Sequence, residues 1–157
     1  MNVRLRPLHE PEFAAWEARA KASYADDMTR HGGVDPERAH DKAARDFAEL
    51  LPDGLHSDEQ HIWVIEDTEG AVGHGWIGER DTPDRGRVAY VYEIEVDGAH
   101  RGLGYGRVGM LLLQEEARAL GYTRIELNVF GGNDVARRLY ESLDFEELAV
   151  SMGKDLA

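Results

Sequence analysis

His100-Arg101-Gly102-Leu103-Gly104-Tyr105-Gly106-Arg107 decides the reading of this chain. It follows an apolar run from Val88 to Val96 and opens an amphipathic helical pattern from Val108 to Leu120. Gly102, Gly104 and Gly106 let the backbone turn tightly and come close to a ligand. A helix starting just behind them adds unpaired N–H groups and the positive end of its dipole. Strand, glycine turn and helix N-terminus together make a cradle for phosphate oxygens. The ligand class, a phosphate or pyrophosphate, is thus named before the fold is.

Two kinds of site use such a cradle. Gly104-x-Gly106-x-x-Gly109 matches the dinucleotide-binding fingerprint, with Glu126 near the place where that fingerprint wants an acid. Room counts against this reading. A nucleotide-binding half needs a further strand, helix and strand after the acid, and Leu127 to Ala157 holds one helix and one strand.

The second kind begins at Arg101. Arg101-Gly102-Leu103-Gly104-Tyr105-Gly106 resembles the R/Q-x-x-G-x-G/A segment of the GNAT superfamily, the acetyl-CoA-dependent N-acetyltransferases. Ile94-Glu95-Val96-Asp97 resembles the strand before that loop. Leu127-Asn128-Val129-Phe130, Asn133, Ala136, Leu139-Tyr140-Glu141-Ser142-Leu143 and Phe145 resemble the family's second cofactor-side segment. The similar region runs from about Ile62 to Leu156; the N-terminal part agrees only in outline.

The resemblance implies site residues. Backbone N–H groups from Gly102 through Leu103, Gly104, Tyr105 and Gly106 to Arg107 are expected on the pyrophosphate of acetyl-CoA, with Arg101 and Arg107 adding charge. Ile94, Glu95 and Val96 are expected to pair through their backbone with the pantetheine arm. Asn133 reads first as a helix N-cap, and the resemblance also puts it beside the coenzyme. Tyr140 matches the tyrosine at the acetyl thioester, where a phenol protonates the leaving thiolate.

An attacking amine must also lose a proton. Some relatives carry a glutamate where this chain has Asn128, so the acids of the strand before the loop become candidates: Glu93 first, then Glu95. Strand alternation places Glu93 and Glu95 on one face and Tyr92 on the other. His74 and Trp76 share a face of a glycine-rich strand near the expected acceptor side, as pocket lining or as packing. The remaining histidines show no metal-ligand spacing. Asp144 stands where the family often has glycine, and aspartate tolerates the left-handed backbone better than most residues.

The chain has 157 residues, no cysteine and a net charge of −13. That length suggests one domain, 1–157. The missing cysteine excludes disulfides and an acetyl-cysteine intermediate. Strong acidity disfavours nucleic acid as a partner. No apolar run is long enough to span a membrane, and Met1 to Pro7 lacks the apolar core of a signal peptide. A cytoplasmic protein acting on a small-molecule or peptide amine is expected, with a homodimer as the commonest oligomer.

Local patterns predict the element order. Val3 to Arg6 reads as a short strand. A helix containing Pro11 runs to about Met28, and Thr29 to Val34 is a loop. Asp35-Pro36-Glu37 starts a helix that lasts to about Leu51. His61–Ile65, Ala71–Glu79 and Arg87–Asp97 form an antiparallel meander. Then come a helix from Tyr105 to Leu120 ended by Gly121, a strand Arg124–Phe130, a helix from Asn133 to Leu143 and a strand Phe145–Asp155. The expected fold is mixed α/β, with about six mostly antiparallel strands flanked by four helices and splayed where coenzyme A enters. The expected function is acetyl transfer from acetyl-CoA to a primary amine by direct attack in a ternary complex. A non-catalytic acyl-CoA-binding domain is the alternative on the same fold, and a dinucleotide oxidoreductase the alternative on another.

Overall fold

The strand patterns assemble into one mixed sheet of five strands in sequence order, seen in a computed structural model that describes residues 1–157. The strands are β1 (Arg4–Pro7), β2 (Gln60–Asp67), β3 (Gly70–Thr82), β4 (Gly86–Val96) and β5 (Ile125–Leu127). All neighbours are antiparallel except β4 and β5. The helices are α1 (Phe13–Gly32), α2 (Pro36–Leu50), α3 (Tyr105–Ala119) and α4 (Asp134–Ser142).

Helix ends follow local chemistry. Asp35 caps α2 by accepting the Arg38 N–H at 3.3 Å, and Asn133 caps α4 by accepting that of Ala136 at 3.3 Å. α1 passes the stop expected at Met28 and continues through His31 and Gly32, so the predicted loop shrinks. The Phe130 ring packs over Gly32, where even a Cβ would come within 3.0 Å of it. This tertiary contact outweighs the low helix propensity of glycine, and Gly33 then ends the helix in the left-handed conformation.

Both sheet faces are covered, which is why β2 is buried over four consecutive residues, Ile62 to Ile65. On one face Trp16, Ala20, Phe47, Leu51, Ile62, Val64 and Trp76 form the core under α1 and α2. On the other, Trp63, Ile77, Ala89 and Val91 meet Met110, Leu113 and Ala117 of α3. Ala39 and Ala43 of α2 pack tightly against Met28 of α1.

The expected sixth strand, Phe145–Asp155, does not form. Leu148, Val150 and Met152 keep a strand-like alternation but are exposed, and no strand pairs with them. A strand needs a partner edge. β5 offers only Ile125, Glu126 and Leu127, shorter than the predicted Arg124–Phe130. The Glu147 carboxylate is held by Arg137 of α4, which fixes the start of the segment beside that helix.

Candidate active site

β4 pairs with β5 only from Ala89 to Val91. Beyond Val91 the strands part, and Ile94, Glu95 and Val96 keep their pairing with β3 but meet no strand on the other side. This is the splay expected from the resemblance. The free edge leads through the turn Gly98–His100 into the glycine loop.

In that loop Gly102 and Gly104 have φ of 76° and 90°, the left-handed region that side chains disfavour. Val108 is the first residue of α3 to bond backward, to the Gly104 carbonyl at 3.2 Å. No N–H from Gly102 to Arg107 donates to another group of the chain. An open row of donors therefore faces outward at the helix N-terminus, as an anion requires. Tyr105 anchors the row: its hydroxyl donates to Asp67 Oδ2 at 2.5 Å, tying the loop to the β2–β3 turn. Leu103 is 59% exposed at the tip. Gly106 packs under Leu139 of α4.

The two arginines are tethered. Arg101 donates to the Val96 carbonyl at 3.0 Å and lies 3.7 Å from Glu95, so its charge turns back to the end of β4. Arg107 donates to Ser142 Oγ at 2.9 Å. Both remain exposed at the rim of the cradle.

Glu93 sits at a bulge. The register jumps from Trp76↔Glu93 to Ile77↔Val91, leaving Tyr92 as the extra residue. This overturns the expected alternation. The Tyr92 ring packs on Trp76 at 4.8 Å, and Glu93 pairs with the same Trp76, so both side chains lie on the α1/α2 face. Glu93 Oε1 accepts the Trp16 indole N–H at 3.0 Å. Burial raises its pKa to about 7, against the Trp16 hydrogen bond, while Glu95 raises it further and Arg19 opposes. A carboxyl with such a pKa changes charge near neutrality, as a general base must.

Tyr140 of α4 packs with Phe145 against the α3 core, ring centroids 5.8 Å apart. Its hydroxyl has no hydrogen-bond partner in the chain. Burial pushes its pKa up to about 12, helped by the negative charge of Asp27, so it is protonated at neutral pH. Trp76, weighed above as pocket lining, is core: it is 1% exposed, and its N–H donates to Gln60 at 2.7 Å. His74 is partly buried beside the Arg19 guanidinium; burial and that charge lower its pKa. Glu126 is bound by Arg85 at 2.5 Å and Arg124 at 2.7 Å, which holds its carboxyl down at about 2. It is a structural ion pair rather than a ribose ligand.

α1 contributes three residues absent from the motif analysis: Trp16, Arg19 and Asp27. Asp27 is partly buried, and burial raises its pKa. The signal was present, because Ala20, Tyr24, Asp27 and His31 stand at helical spacing and the stripe of α1 therefore includes a carboxylate.

A strand parted from its parallel neighbour, running into open N–H groups at a helix N-terminus, with a near-neutral carboxyl beside it, defines an acyl-CoA acyltransferase architecture. The comparisons make this specific. The Acetyltransferase (GNAT) family model matches residues 12–145, and the chain belongs to that family. It is 32% identical over 158 residues to the uncharacterized N-acetyltransferase YycN of Bacillus subtilis, covering 99% of this chain and all of that protein. The crystal structure of YycN superposes with a TM-score of 0.90 at 31% identity, covering 99% of each chain. A predicted acetyltransferase of Clostridium acetobutylicum, solved with acetyl-CoA, shares the fold with a TM-score of 0.68 at 17% identity, covering 98% of this chain and 96% of that one.

Proposed function

We propose that this chain transfers the acetyl group of acetyl-CoA to a primary amine by direct attack within a ternary complex. The observation that carries the reading is that one strand, β4, both bears the near-neutral carboxyl of Glu93 and leads into the open N–H row at Gly102–Arg107. The residues fit the cosubstrate. Gly102 and Gly104 add no side chains to the cradle: nothing lies within 4 Å of where a Gly102 Cβ would stand, and at Gly104 only the Met1 methyl does, at 3.7 Å.

In this reading the N–H groups from Gly102 to Arg107 hold the pyrophosphate, and the free edge of β4 at Ile94–Val96 pairs with the pantetheine amides. Asn133 stands beside the coenzyme while capping α4. Bound acetyl-CoA supplies an acetyl group already activated as a thioester. Glu93 accepts the proton that the acceptor ammonium must lose, directly or through one water. As the C–S bond breaks, Tyr140 gives its proton to the departing sulfur and recovers one, directly or through water, from the nitrogen that becomes the amide. The chain has no cysteine, so no acetyl-cysteine is formed, which is consistent with direct attack.

A panel of primary amines, including peptides with free N-termini, tests this by thiol release. Turnover with at least one amine supports the reading. Saturable acetyl-CoA binding without turnover on any amine supports the non-catalytic alternative.

A further inference from the structure

We infer that Trp16 is the positioning residue for the base: its indole N–H, locked in an aromatic cage, fixes the Glu93 carboxylate at the bulge of β4. This rests on the reading of Glu93 as the proton acceptor. The Trp16 ring is 1% exposed. It is held by Phe13 at 5.7 Å, Phe47 at 6.2 Å and, edge-on, Trp76 at 5.4 Å. A ring packed on these sides has no alternative rotamer space. Its only polar atom therefore points one way, and there Glu93 Oε1 accepts it at 3.0 Å.

The contact solves a problem created by the bulge. The extra residue, Tyr92, puts two neighbouring side chains on one face; Glu93 keeps its backbone pairing with Trp76, which sets its face but not its rotamer. A carboxylate turned by one rotamer would lose the Trp16 N–H. Trp16 supplies the missing restraint from α1, a different element. The hydrogen bond is made to an oxygen, so the second oxygen stays free for the incoming proton.

The bond also sets when Glu93 works. Burial opposes its ionisation, and an N–H donor favours the ionised form. The other groups facing it are Arg19 on α1, which favours ionisation, and Glu95 on β4, which opposes it. His74 on β3 lies opposite Glu95 beside Arg19, and burial together with that charge disfavours its protonated form. α2 brings the uncharged Phe47 and Leu50 to the cluster. Removing the Trp16 donor should therefore raise the Glu93 midpoint.

Indole 15N–1H spectra of the full chain between pH 5 and 9 test the contact without an acceptor. The Trp16 resonance, assigned by its loss in Trp16→Phe, should shift with a midpoint near neutrality. It should stop titrating in Glu93→Gln, and the Trp76 resonance should not follow it. With an amine from the panel, Trp16→Phe should raise the acidic midpoint of kcat/KM by about one pH unit or more, the size expected for a lost hydrogen bond to a charged group. Trp76→Phe removes a ring of the same cluster but no donor to Glu93, and should leave that midpoint in place. If Trp16→Phe does not fold, benzothienylalanine at position 16 keeps the ring shape without the N–H. A Trp16 resonance that ignores pH, or an unmoved midpoint in an enzyme whose acidic limb Glu93→Gln abolishes, overturns the role of Trp16 alone. An intact acidic limb in Glu93→Gln overturns Glu93 as the base, and this inference falls with it.

Discussion

Replacing Glu93 by glutamine should stabilise the protein, and only above mildly acidic pH. Burial raises the carboxyl from 4.5 to about 7 in the fold. Below pH 4.5 it is protonated in both folded and unfolded chains, and its full contribution to stability is present. Between 4.5 and about 7 the unfolded chain releases the proton while the fold retains it, so stability is lost as pH rises through that window. At about 1.36 kcal/mol per unit, the shift corresponds to about 3 kcal/mol as an upper figure. Water reaching a carboxyl that is only partly buried reduces this, to about 1–3 kcal/mol. Glutamine is nearly isosteric, stays uncharged, and its carbonyl still accepts the Trp16 N–H. Urea unfolding of both proteins at pH 4.5, 6 and 8 gives the difference directly. The variant should match or trail wild type at pH 4.5 and exceed it by about 1–3 kcal/mol at pH 8, about 2–12 °C in Tm. A stability difference that does not change with pH would refute the desolvated-carboxyl argument and leave Glu93 an ordinary surface acid.

Other perturbations separate the parts of the site. Gly104→Val forces a β-branched residue to φ of 90° and puts a side chain at the cradle; calorimetry should show acetyl-CoA affinity reduced tenfold or more, about 1.4 kcal/mol. Tyr140→Phe keeps the packing against Phe145 and removes the proton donor, so kcat should fall at least about tenfold with acetyl-CoA affinity nearly unchanged; equal turnover would make the tyrosine structural. Gly73→Ala should be severely destabilising in thermal melts, because its Cβ would lie 2.2 Å from the Glu95 carbonyl oxygen, a backbone atom that cannot give way. Gly109→Ala meets only flexible side-chain ends, Ile65 at 2.9 Å and Ile94 at 3.4 Å, and should cost much less.

What the sequence revealed was local. The glycine loop, the Asp35 and Asn133 caps and the left-handed Asp144 (φ 66°) each depend on a few neighbouring residues, and each is found where those residues predict it. What it hid was set by pairing. The bulge at Tyr92 exists only because β3 and β4 shift register, so counting alternate residues along β4 misassigned the face of Tyr92. Leu148, Val150 and Met152 have a strand pattern, but no partner edge is long enough to use it. The helical stripe of α1 was legible but its partners were not: Trp16 and Asp27 lie 77 and 113 positions from Glu93 and Tyr140 respectively, and only the fold brings each beside its partner.

The shortness of β5 also bears on the order in which the molecule assembles and the ease with which it opens. β2, β3 and β4 are joined by tight turns and close cheaply. β5 must wait for α3, since its first pair, Ala89 with Ile125, spans the whole crossover. This pairing, which spans 36 positions from Ala89 to Ile125, is also the one that shapes the cofactor cleft. With only Ile125 to Leu127 to hold it, this seam should open without disturbing the meander. Amide exchange should register it as faster protection loss at Ile125–Leu127 than at Trp63–Ile65. On the proposed reading acetyl-CoA takes the β4 edge and the glycine loop together, and would act as the strand-to-helix fastener that the polypeptide alone provides only sparingly.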